Sequence, residues 1–253
     1  MIKFFRRIRY NLMSENRTGK PALPAGRYFK YAIGEIILVV LGILIALQIN
    51  NWNEERKLSI ERHQLITALL EDFEYTKTSI KNDRLPVINK ALEDIEIFNH
   101  LIKQDVPSVS VDSLRNLAIS FFRSYPFIPT LSTLNEASSS GKLSLLKNKE
   151  LYKKFTEFEI YYEAFRKLDG EKTHAYFNGS LWEIRKTVKP DVLAGSNPIP
   201  GLTYEEYKRI LDQPLVATGF HTASLFVRNK KRRLDGLLGT TEDIISLLKN
   251  LQH

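Results

Sequence analysis

Between Ala32 and Ile49 the chain reads AIGEIILVVLGILIALQI, 18 residues whose one ionisable member is Glu35. As an α-helix rising 1.5 Å per residue, such a run spans about 27 Å, close to the ~30 Å hydrocarbon core of a bilayer. Tyr28, Phe29 and Tyr31 flank one end and Trp52 the other, where aromatic rings favour the headgroup level. A soluble protein would have to bury this stretch under other helices. A cleaved signal peptide fits poorly, because the basic lead-in is long and Gln48–Trp52 offers no small-x-small cleavage site. The run reads as an uncleaved transmembrane anchor over residues 31–52.

Charge supports an orientation. The chain carries a formal +8, and residues 1–30 hold Lys3, Arg6, Arg7, Arg9, Arg17, Lys20, Arg27 and Lys30 against Glu15 alone, a net +7. The rest is close to neutral, so the imbalance is not the basic patch on a folded domain that nucleic-acid binding needs. Nucleic acid is therefore not an expected partner. Bases concentrated ahead of the span predict a cytoplasmic N-terminus and an extracytoplasmic (periplasmic) body over residues 53–253. Within the lead-in, Phe4, Phe5, Ile8 and Leu12 fall at helical spacing between Lys3, Arg6, Arg7 and Arg9. That pattern predicts a cytoplasmic basic amphipathic segment contacting anionic headgroups; a bare basic tail that sets topology is the alternative.

The stretches MIKFFRRIRYNLMSEN and YAIGEIILVVLGILIALQINNWNEERK resemble the N-terminus of a family of uncharacterised single-pass membrane proteins of Bacteroidota, known as a domain of unknown function. SSSGKLSLLKNKEL, Ser138–Leu151, resembles the body of that family more loosely. The resemblance implies the inner membrane of a Gram-negative cell with the body in the periplasm. It brings no activity, cofactor or catalytic residue.

Beyond the anchor the periodicity is helical, with no run of alternating strands. Apolar stripes run through Leu58, Leu65, Ile66, Leu69, Leu70, Phe73 and Ile80, and then through Ile88, Leu92, Ile95 and Ile102. Pro86 suggests the start of a separate helix. Asn148 can cap a long helix striped by Leu151, Phe155, Phe158, Tyr162 and Phe165, and Thr203–Glu206 has capping-box spacing. Gly141 reads as a left-handed helix terminator. The expected fold class is all-α: a single N-terminal transmembrane helix followed by an antiparallel helical bundle of four main helices.

The chemistry-bearing motifs are weak. With no cysteine, thiol catalysis and Cys-based zinc sites are excluded. No two of the five histidines stand three or four residues apart, so no metal set is expected. Ser139-Ser-Gly-Lys142 matches S-x-x-K, but Gly141 interrupts the required helix and no KTG accompanies it. Asn229–Arg233 reads as a solvated basic helix face, and the carboxylates of residues 71–74 and 93–96 as solubilising charge. Phe158, Tyr161, Tyr162 and Phe165 form an aromatic cluster that could line a ligand pocket, although such stripes are more often core. No catalytic residue and no cofactor is assigned. The leading reading is a non-enzymatic binding or scaffolding domain, an accessory subunit or sensor; the alternative is an envelope-acting enzyme of unrecognised type.

Expected partners are the lipid bilayer and either a membrane protein or a second copy. Glu35, Gly42 and Ala46 share one helix face, and Gly42-x-x-x-Ala46 is a small-xxx-small pair that permits close helix approach. Glu35 either snorkels to the headgroups or meets a partner helix. Interhelical hydrogen bonds in membranes are worth about 1–2 kcal/mol or less, so packing at Gly42 should dominate. In a bilayer association assay, Gly42→Leu should weaken association and Glu35→Gln should weaken it less; identical behaviour of wild type and Gly42→Leu would leave this face to lipid.

Overall fold

A computed structural model describes residues 25–104 and 108–252, apart from the side chains of residues 25–31 and Ser180. Among the described residues there is no strand, and the expected fold class holds: a long apolar N-terminal helix followed by a helical bundle. The chain divides into two compact units, Met1–Ser59 and Ile60–His253. Helix α1, Ala25–Thr78, supplies residues to both.

In the first unit, the stretch Ala32–Ile49 is unburied throughout: Ile36, Leu38, Val39, Leu41, Ile43, Leu44, Ile45 and Leu47 all face outward. It lies in a helix long and apolar enough to cross a membrane, with a mean hydropathy of 2.6 over its best window. Among the described residues no other helix buries it, as a soluble reading would require.

In the second unit, α1 runs into a π-helical segment, Ser79–Arg84, and then into α2, Leu85–Leu101, with every backbone angle at the joins right-handed helical. Pro86 sits in the first turn of α2, as expected, and the helix runs on into it rather than breaking before it. The wide turn explains why. A proline ring normally clashes with the carbonyl four residues back and lacks the N–H to bond it. Here the Leu85 N–H reaches five residues back to the Ile80 carbonyl, and the helix continues.

After α2 come α3 (Val111–Phe122), α4 (Ser132–Ser139), a 3₁₀ segment (Lys142–Leu146), α5 (Lys149–Asn178), α6 (Ser180–Thr187), α7 (Pro190–Leu193), α8 (Tyr204–Leu211) and α9 (Pro214–Asn250). Local chemistry sets several ends. The Asn148 side chain accepts the Leu151 N–H at 3.0 Å, and Thr203 with Glu206 forms a full capping box. Gly141 has φ 73° and ends the α4 turn as expected. α4 lacks a cap of its own, and the Asp72 carboxylate from α1 accepts the Thr133 N–H at 3.1 Å instead. α5 passes through Gly170 unbroken and stops at Gly179.

The bundle is built around α9. It runs antiparallel to α5, as Lys154 with Asp243 (2.8 Å), Tyr161 against Gly236 and Asp169 with Lys230 show in turn. It also runs antiparallel to the α1–α2 rod, through Glu74 with Lys249 (2.8 Å), Glu96 with Arg228 (3.9 Å) and Phe98 stacked on Phe220 (5.4 Å between centroids). Two glycines let α9 come close. A Cβ on Gly236 would stand 2.6 Å from the Tyr161 ring, and one on Gly219 would stand 1.9 Å from Ile184 of α6. Phe73 packs on Phe155 and Phe158 near one end, and Phe98, Phe121, Phe122 and Phe220 interlock near the other.

Arg115 of α3 is 1 % exposed and holds the segment that follows α6. Its guanidinium donates to the carbonyls of Asp191 and Asn197 (2.7 Å to the latter) and to the Asp112 carboxylate (2.7 Å). Its own carbonyl accepts the Gly195 N–H. Replacing Arg115 with Met would leave the Asp191 and Asn197 carbonyls without their charged donor. Hydrogen bonds to charged groups are worth about 1.5–3 kcal/mol, so Arg115→Met should lower stability by roughly 2–4 kcal/mol. Thermal denaturation followed by circular dichroism measures the loss, and faster proteolysis within residues 189–201 should accompany it.

Candidate functional site

After α3 the backbone turns extended at Arg123 (φ −62°, ψ 141°), and Pro126 and Pro129 prevent another helix from starting there. Carbonyls in this segment need donors. Two lysines from facing helices supply them: Lys172 of α5 donates to the Arg123 carbonyl at 2.6 Å, and Lys230 of α9 donates to the Tyr125 carbonyl at 3.1 Å and to the Asp169 carboxylate. Both lysines are buried, 8 % and 2 % exposed. Their ammonium groups lie over aromatic rings, Lys230 at 4.6 Å from the Phe165 centroid and Lys172 at 5.8 Å from that of Tyr125. The Tyr125 hydroxyl donates to the Ser120 carbonyl at 2.9 Å.

This burial shifts the titrations. Loss of solvent, reinforced by the charge of Lys230 and opposed by Asp169, pushes the Lys172 amine down to about 8. Burial also lowers Lys230, with the Asp169 carboxylate opposing it, and raises Tyr125 to about 12.

Next to this cluster is a cavity of about 380 Å³ lined by α3, the end of α5, α6 and α7. Ile119, Phe122, Leu181, Ile184 and Leu193 make it apolar, while Arg123, Arg185 and Tyr176 add polar edges. The Arg185 guanidinium carbon lies 4.5 Å from the Tyr176 centroid, 5.7 Å from Trp182 and 5.9 Å from Phe177. Its Nη1 is buried without a hydrogen-bond partner. A second, smaller hollow of about 180 Å³ opens on the other side of the Arg123–Phe127 segment, bounded by Arg84, Ile88, Phe165 and Leu234. Among the described residues no group of His, Asp or Glu could hold a metal ion.

The residues singled out from sequence are distributed as follows. Glu35, Gly42 and Ala46 are exposed on α1, and a Cβ on Gly42 would meet nothing within 4 Å. Lys3, Arg6, Arg7 and Arg9 lie outside the described residues. Phe158 and Phe165 are fully buried, Tyr161 covers Gly236, and Tyr162 lies 6.5 Å from Phe127. Of these four, Phe165 borders the smaller hollow and none borders the larger. The Ser139 hydroxyl donates to the Glu136 carbonyl at 3.0 Å, at the end of a helix rather than its start, so S-x-x-K has no nucleophile geometry here.

The reading of Asn229–Arg233 as a wholly solvated face is corrected, because Lys230 turns inward. The signal was in the spacing: Val227, Lys230, Leu234 and Leu237 form one stripe, and Lys172 follows Leu151, Phe158 and Phe165 at seven-residue intervals. The acidic runs also do more than solubilise. Asp72 caps α4, and Asp94 accepts the Ser120 hydroxyl at 2.8 Å.

The sign of the Lys172 shift makes a pH test possible. Its folded value lies below the unfolded 10.5, so between pH 8 and 10.5 the unfolded chain binds the extra proton. Stability should therefore rise with pH through that window as the buried charge is relieved. Thermal melts from pH 8 to 10 should show this rise, and Lys172→Met should diminish it, leaving the share due to Lys230.

No curated protein and no solved structure matches the chain. A family model matches residues 35–181, more than half of the sequence, from Glu35 in the apolar stretch to Leu181 at the cavity wall. The chain belongs to DUF6090, a family of unknown function.

Proposed function

We propose that this protein is held in the bacterial inner membrane by residues 31–52, with its N-terminus in the cytoplasm, and that residues 53–253 form a periplasmic binding or scaffolding domain serving as an accessory subunit or sensor. The observation that carries the membrane part is the outward-facing apolar stretch of α1, unburied from Ala32 to Ile49, preceded by a net +7. The binding role draws on the largely apolar cavity with its few polar groups, the usual composition of a small-molecule site. The open face at Glu35, Gly42 and Ala46 is available to a partner helix or a second copy. One observation favours the rival enzymatic reading: a buried amine held near 8 is a group that can lose its proton near neutral pH.

Reporter fusions test the topology. A periplasm-active reporter fused after His253 should be active, and a cytoplasm-active one silent. The reverse result would overturn the placement. Affinity purification from mild detergent tests the accessory role, which predicts a co-purifying membrane protein lost on Gly42→Leu.

A further inference from the structure

We infer that the cavity between α3, α5, α6 and α7 binds a single-tailed amphiphile through a small oxyanion head, carboxylate or phosphate, seated on Arg185. This rests on the binding reading above and gives it a ligand class.

The inference starts from the state of Arg185. A guanidinium always carries its charge, and a buried N–H without an acceptor costs about 1–3 kcal/mol. Nη1 of Arg185 is such a donor, and the residues lining the cavity include no carboxylate to satisfy it. The nearby acid Glu183 is paired with Lys186 at 2.8 Å. Arg115 looks different, since it spends its donors on two carbonyls and a carboxylate. Arg185 is instead pre-ordered by stacking against Tyr176, Phe177 and Trp182, which fixes its plane without occupying its donors. A guanidinium whose plane is fixed at the wall of an apolar hollow, with no carboxylate among the lining residues, suits a two-oxygen anion.

The remaining wall chooses the rest of the ligand. Ile119, Phe122, Leu181, Ile184 and Leu193 offer no hydrogen bonds, so the group beyond the head must be hydrocarbon. At ~30 Å³ per non-hydrogen atom the hollow takes roughly a dozen atoms. That admits one short tail or the end of a longer one, a single chain at a time. Arg123 at the same rim adds a second positive charge to the entrance.

Tryptophan gives a direct readout, since the chain has two and Trp182 lies against Arg185. Full-length Trp52→Phe protein in phosphatidylcholine nanodiscs is titrated with octanoate, octyl phosphate, octanol and inorganic phosphate, with empty discs as the blank. The expected result is saturable change of Trp182 emission with octanoate or octyl phosphate, the tighter of the two naming the head. Octanol and inorganic phosphate should each need at least tenfold higher concentration. Arg185→Gln should raise the half-saturating concentration at least tenfold, and Ala194→Phe, which fills the hollow, should abolish saturation while the helical circular-dichroism signal is kept. Octanol binding as tightly as octanoate, or no saturation with either anion, overturns the inference without any variant. Equal affinity in folded Arg185→Gln overturns it as well. None of these outcomes depends on which side of the membrane the body occupies, so a failed topology test and a failed ligand are separable.

Discussion

Close approach of α9 to α5 and α6 is the constraint from which the rest of the bundle follows. It depends on hydrogen atoms where other residues carry a side chain. Gly236 admits the Tyr161 ring, and Gly219 admits Ile184 and Leu181. With the backbones this near, Lys230 reaches across to Asp169 and to the Tyr125 carbonyl, and Lys172 reaches the Arg123 carbonyl. The irregular segment between α3 and α4 is thereby tied to both long helices. Leu181 and Ile184, brought in by Gly219, are also walls of the larger cavity. Helix packing and the hollow thus share the same contacts, and core packing at interior density leaves little room to change one without the other.

Buried lysines are a costly way to satisfy backbone carbonyls. Each ammonium gives up hydration that one carbonyl and one aromatic face, joined at Lys230 by the Asp169 carboxylate, only partly replace. The depressed Lys172 amine records this imbalance. Arg115 performs the same service for residues 191–197 with a full set of acceptors, including the Asp112 carboxylate, and is the better compensated of the two arrangements. Two loops are therefore held by long cations from neighbouring helices, one at balance and one under electrostatic tension.

Much of this architecture was legible in the sequence where the physics is local. Asn148, Thr203 with Glu206, and Gly141 act within a few residues of themselves, and each does what its spacing implies. The apolar stretch before Ile49 was legible because its length and composition suffice. Legibility ended where distant segments meet. Lys172 and Lys230 occupy apolar stripe positions, but a charged residue there reads as a solvated one until its carbonyl partners, 49 and 105 residues away, are known. The cavity draws on four helices, and no single stretch carries its signature. Pro86 stands in the first turn of α2, as its position implies, and only the hydrogen-bonding pattern of the preceding turn shows that α1 runs on into it.

That turn has a consequence for how the rod keeps one side toward the core. Ile66, Phe73 and Ile80 recur at intervals of seven, whereas the next members, Ile88 and Ile95, resume one residue late. In an ordinary α-helix one added residue rotates everything beyond it by about 100°. The wide turn over Ser79–Arg84 takes up the surplus, so both halves stay in phase and all five side chains are buried. The rod is in effect two heptad registers spliced by a one-residue insertion, and the splice lies directly ahead of Pro86. Shortening the chain there by one residue would merge the two registers into one ordinary helix with the α2 stripe still in phase, and would set the Pro86 ring against the carbonyl four residues back.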